Sequence, residues 1–194
     1  MGIGHQRSKQ GSFFISSGVF KLSHGGELRK KKKGRGFRPL STKEPLHLVL
    51  KVAKSRLRNK SLRAPQSFKL VLEIISKYAR YFAIKIEQIS VQNDHIHLLI
   101  RTSRRKHYQH FFRVVAGQIA QRFEQTGLLA DVRVTDTPKL WKYRPFSRVV
   151  KGWKSYKIVR DYIQLNEKEA LGIIKYQKKR LCGLSTSDWH ILWA

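Results

Sequence analysis

The chain has 194 residues, enough for one ordinary core with extensions, and 41% of them are hydrophobic and 11% aromatic. No run nears the ~18 consecutive apolar residues of a membrane span, MGIGHQRSKQ lacks the apolar segment of a secretory leader, and Gln6 stands where N-myristoylation requires Ser or Thr. A single cysteine, Cys182, excludes an internal disulfide framework and a cysteine-rich zinc site, and a formal charge of +29 points to a polyanionic partner.

Residues 1–44 read as a basic extension. The run RKKKKGRGFRP (29–39) carries Arg29, Lys30, Lys31, Lys32, Lys33, Arg35 and Arg38 around two glycines, without apolar periodicity. Such a run is either a solvated tail or a set of phosphate contacts. From Pro45 the pattern changes. LHLVLKVA (46–53) predicts a first strand, and SFKLVLEIISKYARYF (67–82) has the apolar stripe of a helix. AIKIEQISVQ (83–92) alternates with one irregularity, and HIHLLIRT (95–102) follows closely enough to make a hairpin.

HYQHFFRVVAGQIAQRFEQTG (107–127) is the next helix, with Gly127 as its stop. Its opening HYQHFFR reads as a helix packing Phe111 and Phe112, with His107 and His110 on the surface. KLWKYRPFSRVVKG (139–152) predicts strand, turn or loop, and strand. SYKIVRDYIQLNEKEALG (155–172) is helical by spacing, and 173–194 follow as a basic tail. This order suits an α+β fold of the ferredoxin-like kind, helices packed on an antiparallel sheet. Because the charge is spread along the chain, nucleic acid is favoured over anionic membrane, and a cytoplasmic location is expected, on the nucleoid when DNA is bound.

Three places carry chemistry. His95 and His97 are two apart in a strand, so both project from one face while Ile96, Leu98 and Ile100 take the other. Two imidazoles on one face can hold a divalent ion or a phosphate oxygen. Tyr162 and Asn166 are four apart on a helix and share a face. An amide oxygen is a hard ligand for Mg²⁺ or Mn²⁺, and a phenol can take a phosphoryl group. Third, Lys142, Tyr143 and Arg144 in WKYRPF interleave cations with an aromatic ring, either for unpaired bases and phosphates or for ordinary strand packing.

Taken together, DHIHLLI, LWKYRPFSRVV and VRDYIQLNEKEALG resemble, in order and distance, the HUH single-strand transposases with one catalytic tyrosine, and especially the REP-associated tyrosine transposases. The resemblance spans about residues 45–172. It implies that His95, His97 and Asn166 hold Mg²⁺ or Mn²⁺ and that Tyr162 is the nucleophile. It further implies single-stranded DNA, with a hairpin, as substrate. Two departures stand out: Asn93-Asp94 replaces the usual Pro-Asn before the first histidine, and LNEKEA lacks the Asn-Pro of many relatives.

The chemistry is coherent on its own terms. Phenols titrate near 10, so a tyrosine nucleophile needs a cation or metal beside it. A 5′-phosphotyrosine bond keeps the phosphoester energy, so rejoining needs no nucleotide cofactor, and GRGFRP lacks the spacing of a Walker loop. Two readings follow: a metal-dependent nickase and rejoining enzyme, or a non-catalytic DNA- or RNA-binding protein. Both a monomer and a homodimer exchanging the tyrosine helix are compatible with the sequence.

Overall fold

Alternation along Leu46–Lys51 decides how the sheet is built: Leu46, Leu48 and Leu50 are buried in one cluster, so His47, Val49 and Lys51 take the other face. The computed structural model describes residues 21–28, 37–131 and 139–194. Its strands are β1 (Ser23–His24), β2 (Leu46–Lys51), β3 (Lys85–Val91), β4 (His95–Arg101) and β5 (Phe146–Val149), and its α-helices are α1 (Pro65–Tyr81), α2 (Arg105–Gln125), α3 (Trp153–Ala170) and α4 (Thr186–Trp193). The sheet order is β1-β5-β2-β4-β3 with every pair antiparallel. Strands β2, β3, β4 and β5, with α1 and α2 between them, reproduce the ferredoxin-like arrangement, so the α+β expectation holds.

Helices α1 and α2 cover one face. Pro65 opens α1, where its missing N–H costs nothing. Val71, Ile74, Ile75 and Ala79 then meet Phe111, Val115, Ile119 and Phe123 of α2 and Ile96, Leu98 and Ile100 of β4 in one apolar core. Phe111 and Phe112 are buried there, as read from the sequence. The buried Tyr108 hydroxyl donates to the Ile100 carbonyl at 3.4 Å and accepts from the Thr102 amide at 3.2 Å, which ties α2 to the end of β4. The expected irregularity in β3 is a bulge between Ile86 and Gln88. Helix α3 covers the opposite face, where Leu99 packs with Val150, Val159 and Ile163.

Two segments differ from expectation. Ser23–His24, inside the expected extension, pairs with Arg148 and Ser147 of β5. The next residue, Gly25, has φ +83°, and a Cβ there would run into the Pro145 carbonyl, so only glycine fits. Residues 173–194, expected as a basic tail, carry a 3₁₀ turn (Arg180–Gly183) and α4, and Ile174 and Leu192 bury against Leu165 of α3. Ser185 caps α4 in a reciprocal box with Asp188. Among the described residues no helix is long and apolar enough to cross a membrane.

Candidate active site

Strand β4, between β2 and β3, sends Ile96, Leu98 and Ile100 toward α1 and α2, which leaves His95 and His97 facing α3. Helix α3 carries Tyr162 on the side that packs with this cluster. The two histidine rings lie 4.6 Å apart and nearly perpendicular, and the Tyr162 ring lies 5.6 Å from that of His97. Three of the sequence-nominated residues therefore meet on one face of the sheet.

Each histidine has its Nδ1 held from behind. His95 Nδ1 is 2.6 Å from Asp94 Oδ1, and Lys51 approaches the other oxygen of that carboxylate at 3.7 Å. Burial alone would raise the Asp94 carboxyl, but the bond to His95 and the charges of His95, Lys51 and Lys54 outweigh it and the net shift is downward. His97 Nδ1 is 3.0 Å from Nε2 of His47 on β2, with the two rings stacked at 5.2 Å. His47 was passed over in the sequence; it lies in an alternating strand where a polar residue looks like a solvated one.

Burial keeps this pair neutral. It lowers His47 to about 3, aided by the charges of Arg148 and His95. It holds His97 well below the ordinary imidazole value, aided by His47, His95 and Arg180. Two neutral imidazoles share one proton across the bond between them. When His97 donates it from Nδ1, its Nε2 presents a lone pair, and this nitrogen is buried with no hydrogen-bond partner among the described residues. A buried ring nitrogen without a partner and a second histidine with its Nδ1 held by a carboxylate suit a divalent cation. Among the described residues no group of three His, Cys, Asp or Glu side chains could hold a metal ion.

Asn166 is buried, at 7% exposure, and heavily used. Its Nδ2 donates to the Tyr162 carbonyl at 2.7 Å, its own carbonyl accepts from Gln92 at 2.7 Å, and its Oδ1 accepts from Arg180 Nη2 at 2.7 Å. Oδ1 keeps its second lone pair for another partner. Arg180 comes from the 3₁₀ turn, at φ +55°, where a non-glycine residue needs external support. Support comes from two bonds to the Glu169 carboxylate, at 2.7 and 2.9 Å. The Arg180 guanidinium then lies over the rings of Tyr162, at 5.3 Å, and Tyr176, at 5.2 Å. It is a second residue that sequence reasoning missed, because the segment was read as a tail.

The nominated DNA contacts divide into three groups. Arg29, Lys30, Lys31, Lys32, Lys33 and Arg35 lie outside the described residues. Arg38 turns inward: its guanidinium donates to Ser147 Oγ at 2.6 Å and to the Pro145 carbonyl at 2.9 Å, and it covers Phe112. Burial, then the charge of Arg144, lowers its pKa to about 10. Lys142 and Arg144 are exposed, and the Tyr143 hydroxyl donates to Glu27 at 2.9 Å. Tyr143 and Arg144 line a recess of about 380 Å³ with Val49, Lys51 and Phe146. Val49 and Lys51 stand opposite His97 and His95 in the sheet register, so this recess borders the histidines.

The family model for IS200-like transposases matches residues 45–166, well over half of the chain. The chain belongs to the IS200-like transposase family. Among solved structures, it is similar to a REP-associated tyrosine transposase bound to a REP hairpin, with 17% identity and a TM-score of 0.53 over 73% of this chain and 76% of that one. It is also similar, with 17% identity and a TM-score of 0.41, to a candidate transposase from Deinococcus radiodurans, over 70% of this chain and 98% of that one. The first likeness is one of fold. No curated protein matches the sequence. In this IS200-like transposase the matched segment ends at Asn166, so it contains the histidines and the tyrosine but neither Arg180 nor α4.

Proposed function

We propose that this IS200-like transposase nicks and rejoins single-stranded DNA through a 5′-phosphotyrosine intermediate, acting beside a hairpin. The observation that carries the reading is the packing of the Tyr162 ring against His97, whose Nε2 is buried with no hydrogen-bond partner among the described residues. His95, His97 and Asn166 would hold Mg²⁺ or Mn²⁺, which when bound supplies Lewis-acid polarisation of the scissile phosphate. His47 and Asp94 hold the two Nδ1 atoms, which leaves the Nε2 atoms for the ion.

Tyr162 attacks the scissile phosphorus in line. A bond forms between its phenolic oxygen and phosphorus, the bond to the 3′ oxygen breaks, and the leaving oxygen departs as a 3′-OH with the proton lost by the phenol. The Arg180 guanidinium over the Tyr162 ring favours the developing phenolate. Because the phosphodiester energy is retained, a 3′-OH from another strand can reverse the step. Lys51, Tyr143 and Arg144 in the adjoining recess suit the strand on either side of the scissile bond.

The test uses labelled single-stranded oligonucleotides carrying a hairpin, incubated with the full chain and Mg²⁺ or Mn²⁺ and resolved under denaturing conditions. A covalent protein–DNA band that chelator abolishes is expected. Binding without any adduct over a broad hairpin library would instead make the chain a non-catalytic DNA binder of the same family.

A further inference from the structure

A second surface lies on the other side of the sheet, at the far end of β4. Six residue steps separate His95 from Arg101, about 20 Å of strand, and the chain then continues into Arg104, Arg105 and Lys106 at the start of α2. These three are exposed, and among the described residues none pairs with a carboxylate. The first turn of α2 also holds no acidic residue. Cations at a helix N-terminus oppose the helix dipole and one another, so the arrangement is unfavourable until an anion arrives.

Beside them stands an aromatic group. The chain leaves α1 through Ala83, at φ +47°. Phe82 stacks between Tyr78, at 6.2 Å, and His110, at 5.9 Å. Tyr81 meets Phe82 edge to face at 4.8 Å and remains 77% exposed. Tyr81, Phe82 and His110 line an open recess of about 600 Å³ with Arg104, Arg105 and Lys106.

We propose that this recess binds an unpaired nucleotide of a single-stranded DNA segment, with the base on Tyr81 and the flanking phosphates on Arg104, Arg105 and Lys106. A surface that touched only the backbone of a duplex would gain nothing from an open ring face, whereas an unstacked base gains a stacking partner. The site lies on the face opposite the histidines and does not depend on the nicking chemistry. It gives the family fold a second grip on a strand whose scissile bond lies elsewhere.

Anisotropy titrations of the full chain with labelled oligothymidylate test this. Tyr81→Ala should weaken binding about tenfold, the loss of one base–aromatic stack, while Tyr81→Phe, which keeps the ring, should bind like wild type. The triple variant Arg104→Gln, Arg105→Gln, Lys106→Gln should reduce the steepness of the log–log salt dependence by about 2. All the changed side chains are exposed, and unchanged thermal unfolding would show that folding is intact. Wild-type affinity in Tyr81→Ala, or an unchanged salt slope in the triple variant, would overturn the proposal. A lost slope with Tyr81→Ala unaffected would mean a phosphate-only surface, which also contradicts it. Adduct formation on the same variants at saturating DNA should persist; failure of wild type to form an adduct would sink the nicking chemistry and leave these binding results standing.

Discussion

Ile96, Leu98 and Ile100 leave one face of β4, while His95, His97 and Leu99 leave the other, and what the two sets meet is different. On the first side two helices supply Phe111, Phe123, Val71 and Ile75 to a mainly apolar core, in which the Tyr108 hydroxyl bonds to the Ile100 carbonyl and the Thr102 amide. On the second side one helix supplies Val159 and Ile163 to a smaller apolar cluster, with Tyr156 and Tyr162 packed against it, and the buried polar groups include His47, His97 and Asn166. The same strand thus serves cohesion on one side and polar chemistry on the other. Buried polar groups are costly unless satisfied, so the second face can carry them because the first supplies the stability.

That division is open to attack. The largest effect should come from the apolar side: Phe123→Ala, at a fully buried ring, should cost about 3–5 kcal/mol in urea unfolding. A cost near zero would mean that the core on the α1 and α2 side is not what holds the sheet.

The pH dependence probes the polar side. His47 and His97 both have folded pKa values below the unfolded value of about 6.5, so the unfolded chain binds more protons as the pH falls below it. Their stabilisation is complete above that pH and is lost as the pH drops toward about 3, the folded value of His47. Each contributes a slope of up to about 1.4 kcal/mol per pH unit. With chelator present, unfolding between pH 6.5 and 5 should be steeply pH-dependent, and His47→Gln should remove about half of the histidine part of that slope. An unchanged slope in His47→Gln would mean that His47 is not buried neutral beside His97.

A smaller change is expected from Arg180→Ala. It removes the bonds to Asn166 and Glu169 and leaves a carboxylate that is 9% exposed without its main partner. Allowing for the partial exposure of Arg180, the loss should be about 1–2 kcal/mol in thermal or urea unfolding. A stability equal to wild type would show that the C-terminal turn is not anchored through this residue.

How much of this was readable in advance depends on the distance over which each signal acts. The strand His95–Arg101 and the helix around Tyr162 declare themselves locally, because the period of two puts both histidines on one face and the spacing of four pairs Tyr162 with Asn166. The family resemblance then joined them. His47 was illegible for a different reason: its partner is His97, fifty positions away across a strand pair, and LHLVLK alone gives a histidine no reason to be buried. Arg180 hides among Lys175, Lys178 and Lys179, which suggest a basic tail, although the apolar residues of 173–194 outnumber the basic ones and Ile174 and Leu192 bury against Leu165 of α3. Ser23–His24 is too short for any periodicity, and its pairing is stated only by the β5 strand it joins. Arg38 sits in a run of like charges, yet acceptors on Ser147 and Pro145 draw it inward.

The most direct measurement is mass spectrometric mapping of the covalent protein–DNA adduct, run on wild type and on Tyr162→Phe with Mg²⁺ or Mn²⁺. Tyr162→Phe removes one hydroxyl and should leave binding and folding nearly intact. The adduct should map to Tyr162 in wild type, and both adduct and strand cleavage should vanish together in the variant. Cleavage by Tyr162→Phe at the wild-type rate, or an adduct on any other residue, would contradict the assignment.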